Sequence, residues 1–324
     1  MSALDPATDS TRRPFSGRRV RLGDLILQTV AGAAALGTAV LLGLIAYKVA
    51  QGAKLSLSTF GLGFITHVGW DPVSFRYGAG SLLFGTAVTS LGALVIATPL
   101  AIAIGLFLSE LAPAGIRGVA TALIETLAAI PSVVIGLWGI LVLVPLLHDH
   151  VDPVIHSALG FIPLFGPAQY GQSIFAAIVV LTIMILPIIA SISRELFLGV
   201  PSELKEAALG LGATRWEMVR GVILPYTRSG VAAAMILGLG RALGEAIAVA
   251  QVIGAFDSGV SWNLFTTGDT LASKIAVQFL NVGSASELSA LFYLALILLV
   301  LSLIVNLLAQ WIVRRLGRQQ RLAT

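Results

Sequence analysis

Residues 238–249 read GLGRALGEAIAV, and Arg241 and Glu245 are full charges inside an apolar run. A guanidinium presents a planar fork of N–H donors that pairs with oxyanions two bonds at a time. A carboxylate four residues on shares the same face of a helix. It offsets part of that attraction and holds the guanidinium in place when no anion is present. Such a pair suits an anion that must be taken up and then released, rather than a bond that must be broken. The same spacing equally suits a salt bridge that fastens two helices together, and both uses stay open at this point. Gly240 and Gly244 form a G-x-x-x-G around the pair, a pattern for close helix packing or for a hinge. Glu125 is a third charge in an apolar run, a pathway or structural group whose partner the sequence does not name.

Other chemistries are missing. There is no cysteine, so thiol catalysis, disulfides and Cys-type zinc sites are excluded. None of the lysines (Lys48, Lys54, Lys205, Lys274) follows a glycine, so no G-x-x-x-x-G-K-[ST] phosphate loop is present. Neither H-E-x-x-H nor G-x-S-x-G occurs. Of the histidines (His67, His148, His150, His156), three fall in one segment with Asp149 and Asp152. His148 and His150 are two apart and do not share a helix face, so the segment reads as a solvated polar loop. No catalytic residue, metal site or cofactor is expected on this chain.

The charged pair must be positioned by long apolar elements. The chain of 324 residues is 57% hydrophobic and 11% charged, against about 25% charged in a soluble domain. Several apolar runs exceed the roughly 20 residues that a bilayer requires. Segments of about 10 alternating residues, the mark of a membrane barrel, are not seen. The expectation is an all-α polytopic membrane protein with six transmembrane helices near 25–50, 81–108, 118–147, 172–193, 230–254 and 288–313. The first run is too long for a signal-peptide core. The domain reading is a basic tail 1–24, a transmembrane permease domain 25–313 and a basic tail 314–324. Pro131 predicts a kink or tilt in the third run. Arg241 stands about 11 residues into its span, roughly 16 Å along a helix and close to the bilayer midplane. Too deep for easy escape to water, it needs a protein reason to be there.

Positive charge sets the orientation. Arg12, Arg13, Arg18, Arg19, Arg21, Arg117, Arg194, Lys205, Arg215, Arg220, Arg228, Arg314, Arg315, Arg318 and Arg321 all fall on one side of the alternating loops. That side holds the tails and loops 109–117 and 194–229, so both termini are expected in the cytoplasm. The net charge of +4 follows topology, not nucleic acid.

The largest loop on that side reads RELFLGVPSELKEAALGLGATRWEMVRGVILP. Pro201 breaks what precedes it, and Ser202 can cap a short helix with Glu203 in its first turn. That helix ends at Gly210 or Gly212, where a left-handed residue is easily made. Thr214 and Glu217 spell a capping box for a second helix, which Pro225 ends or kinks. Tethered between two spans, this helix–turn–helix reads as an ordinary interfacial loop or as a knob that docks into another protein, rather than as a DNA reader.

Glu206-Ala207-Ala208, three residues, Gly212, nine residues, then Val222-Ile223-Leu224-Pro225 resembles the EAA loop (here 201–225) of ABC importer permeases, with valine where the pattern has isoleucine. The stretches GWDPVSFRYGAGSLLFGTAVTS (69–90), IPSVVIGLWG (130–139) and GRALGEAIAV (240–249) are similar to permeases of the phosphate-specific transport (Pst) system, the first external loop being most like the C-type subunit. The resemblance implies the ABC importer (MetI-like) permease fold with cytoplasmic coupling helices. Glu206, Ala207, Ala208, Gly212, Leu224 and Pro225 would couple to the ATPase, and Arg241 with Glu245 would line a phosphate pathway. It implies a second, PstA-like permease subunit in a heterodimer, two ATPase subunits that hold the ATP and Mg, an external phosphate-binding protein, and a bacterial cytoplasmic membrane. The alternatives are a permease for another oxyanion, sulfate or molybdate, and a stand-alone secondary transporter.

Overall fold

The computed structural model describes residues 22–168, 171–255 and 259–321. The basic residues Arg12 to Arg21 and positions 322–324 lie outside them. Helix α1 (Leu22–Gly52), a unit by itself as far as Lys48, is 31 residues long, about 46 Å at helical rise. From Leu25 to Leu44 its leucines and valines are exposed on every side, as expected of a helix that meets lipid.

The second unit begins with two short helices, α2 (Lys54–Phe60) and α3 (Gly63–Thr66), and a hairpin of β1 (Trp70–Asp71) and β2 (Arg76–Tyr77). The hairpin is antiparallel, Trp70 opposite Tyr77. Its turn is closed by Asp71, whose Oδ1 accepts from Val73 N at 2.9 Å and Ser74 N at 3.3 Å. The Ser74 hydroxyl and these two amides hold the Asp71 carboxyl below the ordinary carboxylate range. This layer was legible only as a loop, 51–80.

Helix α4 (Gly80–Leu106) continues through a π turn, Phe107–Leu111. Then α5 (Ala114–Ala129) stands alone, because Ile130 and Pro131 are extended. Three further helices, α6 (Ser132–Trp138), α7 (Val144–Leu146) and α8 (Asp152–Leu159), are joined by the π turns Gly139–Leu143 and Leu147–Val151 into one rod of 28 residues. The run read as 118–147 is therefore divided at Pro131. The segment read as an external loop from 148 is helical to Leu159 and carries all three of its histidines. Pro145 and Pro153 each follow a π turn. A proline has no N–H for the turn before it, and the wider turn absorbs the mismatch without ending the helix.

The chain returns as α9 (Ile174–Leu198), capped by Ser173, whose Oγ accepts from Ala176 N. The loop after α9 supplies α10 (Ser202–Gly210) and α11 (Arg215–Met218). After the π turn Val219–Ile223 the rod continues as α12 (Leu224–Gly244). Pro225 thus neither ends nor breaks this helix, and the span starts well before 230. Last come α13 (Ile247–Ile253), α14 (Leu271–Gln278) and α15 (Ala285–Arg321). The described residues hold six helices long and apolar enough to cross a membrane.

The core lies between α4 and α9. Ala93, Ala97 and Ala101 form one small-residue stripe on α4 against Ile178, Leu181, Ile185 and Ile189 of α9. A Cβ at Gly92 would stand 2.8 Å from Ile178 Cδ1, and one at Gly105 would stand 3.2 Å from Arg194 N. Small residues let the backbones approach, and that approach is what binds helices where lipid gives no hydrophobic drive. A second cluster (Phe64, Tyr77, Leu82, Leu271, Leu291, Leu294) ties the hairpin layer to α14 and α15. A third (Phe197, Val200, Met218, Val219, Ile223, Val231) roots the α10–α11 loop on the ends of α9 and α12.

Candidate functional site

Helix α12 ends at Gly244, and Glu245 is extended with φ −73° and ψ 120°. Its Oε1 accepts from Ala248 N at 3.3 Å, one of the free amides at the start of α13. The same-face arrangement expected from the i, i+4 spacing is thus not realised, and no Arg241–Glu245 ion pair is present among the described residues. The reason is local: once the helix stops at Gly244, the carboxylate satisfies an orphan amide of the next helix instead.

Arg241 is exposed, and among the described residues it makes no hydrogen bond or ion pair. It shares an open stripe of α12 with Ala233, Leu237, Gly240 and Gly244. A Cβ at Gly240 or Gly244 would meet nothing within 4 Å, so among the described residues of the second unit the G-x-x-x-G packs on no other helix. The opposite face (Val231, Ala234, Gly238, Ala242) is buried, and a Cβ at Gly238 would stand 2.8 Å from Ile189 Cδ1.

The two interrupted spans meet beyond their breaks. A Cβ at Gly136 of α6 would stand 2.8 Å from Ala248 Cα and 2.4 Å from Gln251 Oε1. One at Gly139 would stand 2.8 Å from Val252 Cγ1. The contacts advance in the same direction along both helices, so α6 and α13 run parallel, α6 restarting after the extended Ile130 and Pro131 and α13 shortly after the extended Glu245. In a membrane such irregular backbone is tolerated where protein buries it or where it lines a water-filled path. Discontinuous helices of this kind surround substrate sites in transporters. Glu125 is elsewhere, on α5. It is exposed and lines a cavity of about 360 Å³ between α5 and α9, together with Thr121, Ile124, Ser191, Arg194 and Glu195. Arg194 pairs there with Glu195 beside it.

The α10–α11 loop has the expected turn. Ser202 is the first helical residue of α10 and its side chain makes no cap; Pro201 precedes it with its φ already fixed. The left-handed position is Gly212, at φ +86°. Thr214 Oγ1 accepts from Glu217 N at 3.3 Å, and Glu217 Oε2 accepts from Thr214 N at 2.8 Å, which completes the capping box. Glu206 and Ala207 are exposed, Ala208 packs on the third cluster, and Leu224 and Pro225 lie inside the rod that follows. The sequence reading missed the apolar surface of this loop: Leu204, Leu209, Leu211 (90% exposed) and Trp216 (65%) face outward. Large apolar residues in a loop between capped helices were its available signal.

Hydrogen bonds from the Thr214 backbone N–H and hydroxyl lower the Glu217 pKa. Its contribution is therefore complete above the ordinary glutamate value and is lost as the pH falls through the lower, folded-state value. Amide protection factors over residues 214–218 of the solubilised protein should stay constant near neutrality and fall only on acidification below the glutamate range. In Glu217→Ala they should be low throughout.

A bundle of apolar spans, two of them broken and apposed, with a capped helical knob at one end, defines a multi-pass transport permease subunit. Residues 97–318 match the family described as "Binding-protein-dependent transport system inner membrane component". The phosphate transport system permease protein PstC of Mesorhizobium japonicum is 40% identical over 98% of this chain and 98% of its own. Among solved structures, a bacterial ABC transporter involved in the import of the acidic polysaccharide alginate is similar at a TM-score of 0.60. It is 18% identical and covers 90% of this chain and 98% of its own. The inward-facing MetNI methionine ABC transporter is similar at a TM-score of 0.50 with 21% identity, over 74% of this chain and 94% of its own. At these identities the structures bear on the fold alone, that of ABC importer permeases. The chain belongs to the binding-protein-dependent inner membrane component family, in its PstC branch.

Proposed function

We propose that this chain is the transmembrane subunit that carries inorganic phosphate through an ATP-driven importer of the bacterial cytoplasmic membrane. The observation that carries this reading is its 40% identity to a PstC protein over 98% of both chains. The geometry supports the rest. The open Arg241 stripe on α12 faces a second, PstA-like permease subunit, and the phosphate path runs between the two, past the paired breaks of α6 and α13. The outward apolar side chains of α10 and α11 dock in one of two ATPase subunits, which hold the ATP and Mg. An external binding protein delivers phosphate, and the spans open alternately to either side. Both termini lie in the cytoplasm, where the basic tails agree with positive-inside topology.

Glu245 tempers Arg241 from the break itself: a carboxylate that can leave the Ala248 amide is free to take the guanidinium as the anion departs. Labelled phosphate uptake into vesicles holding the whole complex tests the reading. Uptake should require ATP and the ATPase subunits and should resist excess sulfate and molybdate. Uptake driven by membrane potential without the ATPase, or competed by sulfate or molybdate as well as by phosphate, would overturn it.

A further inference from the structure

Helix α5 is a 16-residue rod between two extended joints. At its start Ala112 and Pro113 have ψ of 129° and 149°, and at its end Ile130 and Pro131 have ψ of 128° and 136°. Proline imposes the extended form on the residue before it and cannot continue a helix across the joint. Helix α5 packs on α9, and beside that contact lies the cavity that Thr121 and Ser191 line. Helices α4 and α9, by contrast, are close-packed through alanine and glycine. The rod thus has both hinges and room to move against a fixed pair.

Its near joint is fastened to the coupling loop. Lys205 of α10 donates from Nζ to Glu110 Oε1 at 2.6 Å and to Phe197 O at 3.1 Å. Both charged side chains are largely buried, at 17% and 15% exposure. Glu110 lies in the π turn that ends two residues before Pro113. Across the joint, Arg117 of α5 donates to Ser109 O at 3.2 Å and to Ala112 O at 3.3 Å. An unbroken polar chain therefore runs from α10 through Lys205, Glu110 and the π turn to Arg117 on α5. Helix α10 itself hangs from α9 by Gly199, Val200 and the extended Pro201.

We propose that the Lys205–Glu110 pair is the strut through which displacement of α10 is passed to α5, which moves into the cavity against α9. Lys205 is a positioning residue that touches neither phosphate nor ATP. The inference rests on the reading of α10 as the ATPase-docking helix.

The test uses the complete complex in proteoliposomes. The chain has no cysteine, so Thr121→Cys and Ser191→Cys place one label on each wall of the cavity. In the otherwise unaltered chain the label distance should change on adding ATP. In Lys205→Met, hydrolysis stimulated by the binding protein should persist. Phosphate carried per ATP should fall about tenfold, within the usual range of coupling between sites, and the label distance should no longer follow ATP. Lys205→Arg, which keeps a donor for both Glu110 and the Phe197 carbonyl, should retain both. Unchanged phosphate per ATP in Lys205→Met, or a label distance that still follows ATP, overturns the proposal. If Lys205→Met does not assemble, the double change Lys205→Met with Glu110→Met removes the pair without stranding a charge and is read by the same two measurements, with the same deciding results. A complex that shows no ATP-dependent phosphate uptake before any Lys205 change refutes the phosphate importer instead, and the label distances still decide the strut.

Discussion

Replacing Arg241 by Gln should abolish phosphate uptake while the complex still assembles and binds ATP. The expected loss is about a hundredfold or more, or about 2.7 kcal/mol at the scale of 1.36 kcal/mol per factor of ten. Removing one partner of a buried ion pair would strand the other charge and destabilise the fold, but Arg241 has no such partner among the described residues. Glu245 is bonded to Ala248 N and not to the guanidinium, so it should keep that bond in the variant. Among the described residues of the second unit, position 241 also lies on a face of α12 that no helix covers, away from Val231, Gly238 and Ala242, which hold it to α9. The helix begins so far before 230 that Arg241 stands in the last turn of α12 and not about 11 residues into its span. The change should leave packing alone and remove only the fork of donors there. Arg241→Lys keeps the charge but not the two-bond geometry and should retain part of the activity. Uptake measured in vesicles alongside purification of the assembled complex separates the outcomes. Surviving uptake would end the pathway role, and loss of the complex would make Arg241 a brace between subunits.

How far these positions could be read from sequence depends on whether one helix or two are involved. The number of spans followed from run length, because lipid admits few alternatives to long apolar helices. The loop between α9 and α12 was legible residue by residue, since Gly212 and the Thr214–Glu217 box are local features with local causes. Glu245 was misplaced for the opposite reason. Helical spacing was extended through Gly244 as though the rod continued, although the G-x-x-x-G allowed a hinge there, because Gly-Glu-Ala-Ile carries no proline to choose the hinge over close packing. The break is held by tertiary contacts instead, α13 being packed on α6 through Gly136 and Gly139. At Pro131 the signal was visible but under-read, as a kink where the chain makes a full interruption. Pro225 was read as a place where the helix ends or kinks, and the helix does not end there: a π turn carries it past, as π turns do at Pro145 and Pro153. Proline alone does not report whether a neighbouring turn widens to accept it.

Gly212→Val and Glu206→Arg should each uncouple ATP hydrolysis from transport, and for different physical reasons. A Cβ at Gly212 would meet nothing within 4 Å, so no clash is involved. The difficulty is the backbone at φ +86°, which costs an L residue about 1–2 kcal/mol and a β-branched one more. The turn relieves that strain by opening, and α11 shifts relative to α10. Leu204 and Leu209 then no longer form one surface with Leu211 and Trp216. Asparagine, which tolerates the left-handed region, should be nearly harmless at 212. Glu206 is exposed and makes no ion pair among the described residues, so reversing its charge should leave this chain's fold intact and act only on what docks there. In reconstituted vesicles both variants should hydrolyse ATP while phosphate carried per ATP falls by about tenfold. The capping box at Thr214 should survive in Glu206→Arg and loosen in Gly212→Val, which amide protection over residues 214–218 distinguishes. An unchanged coupling ratio in both would mean that this loop is not where the ATPase takes hold.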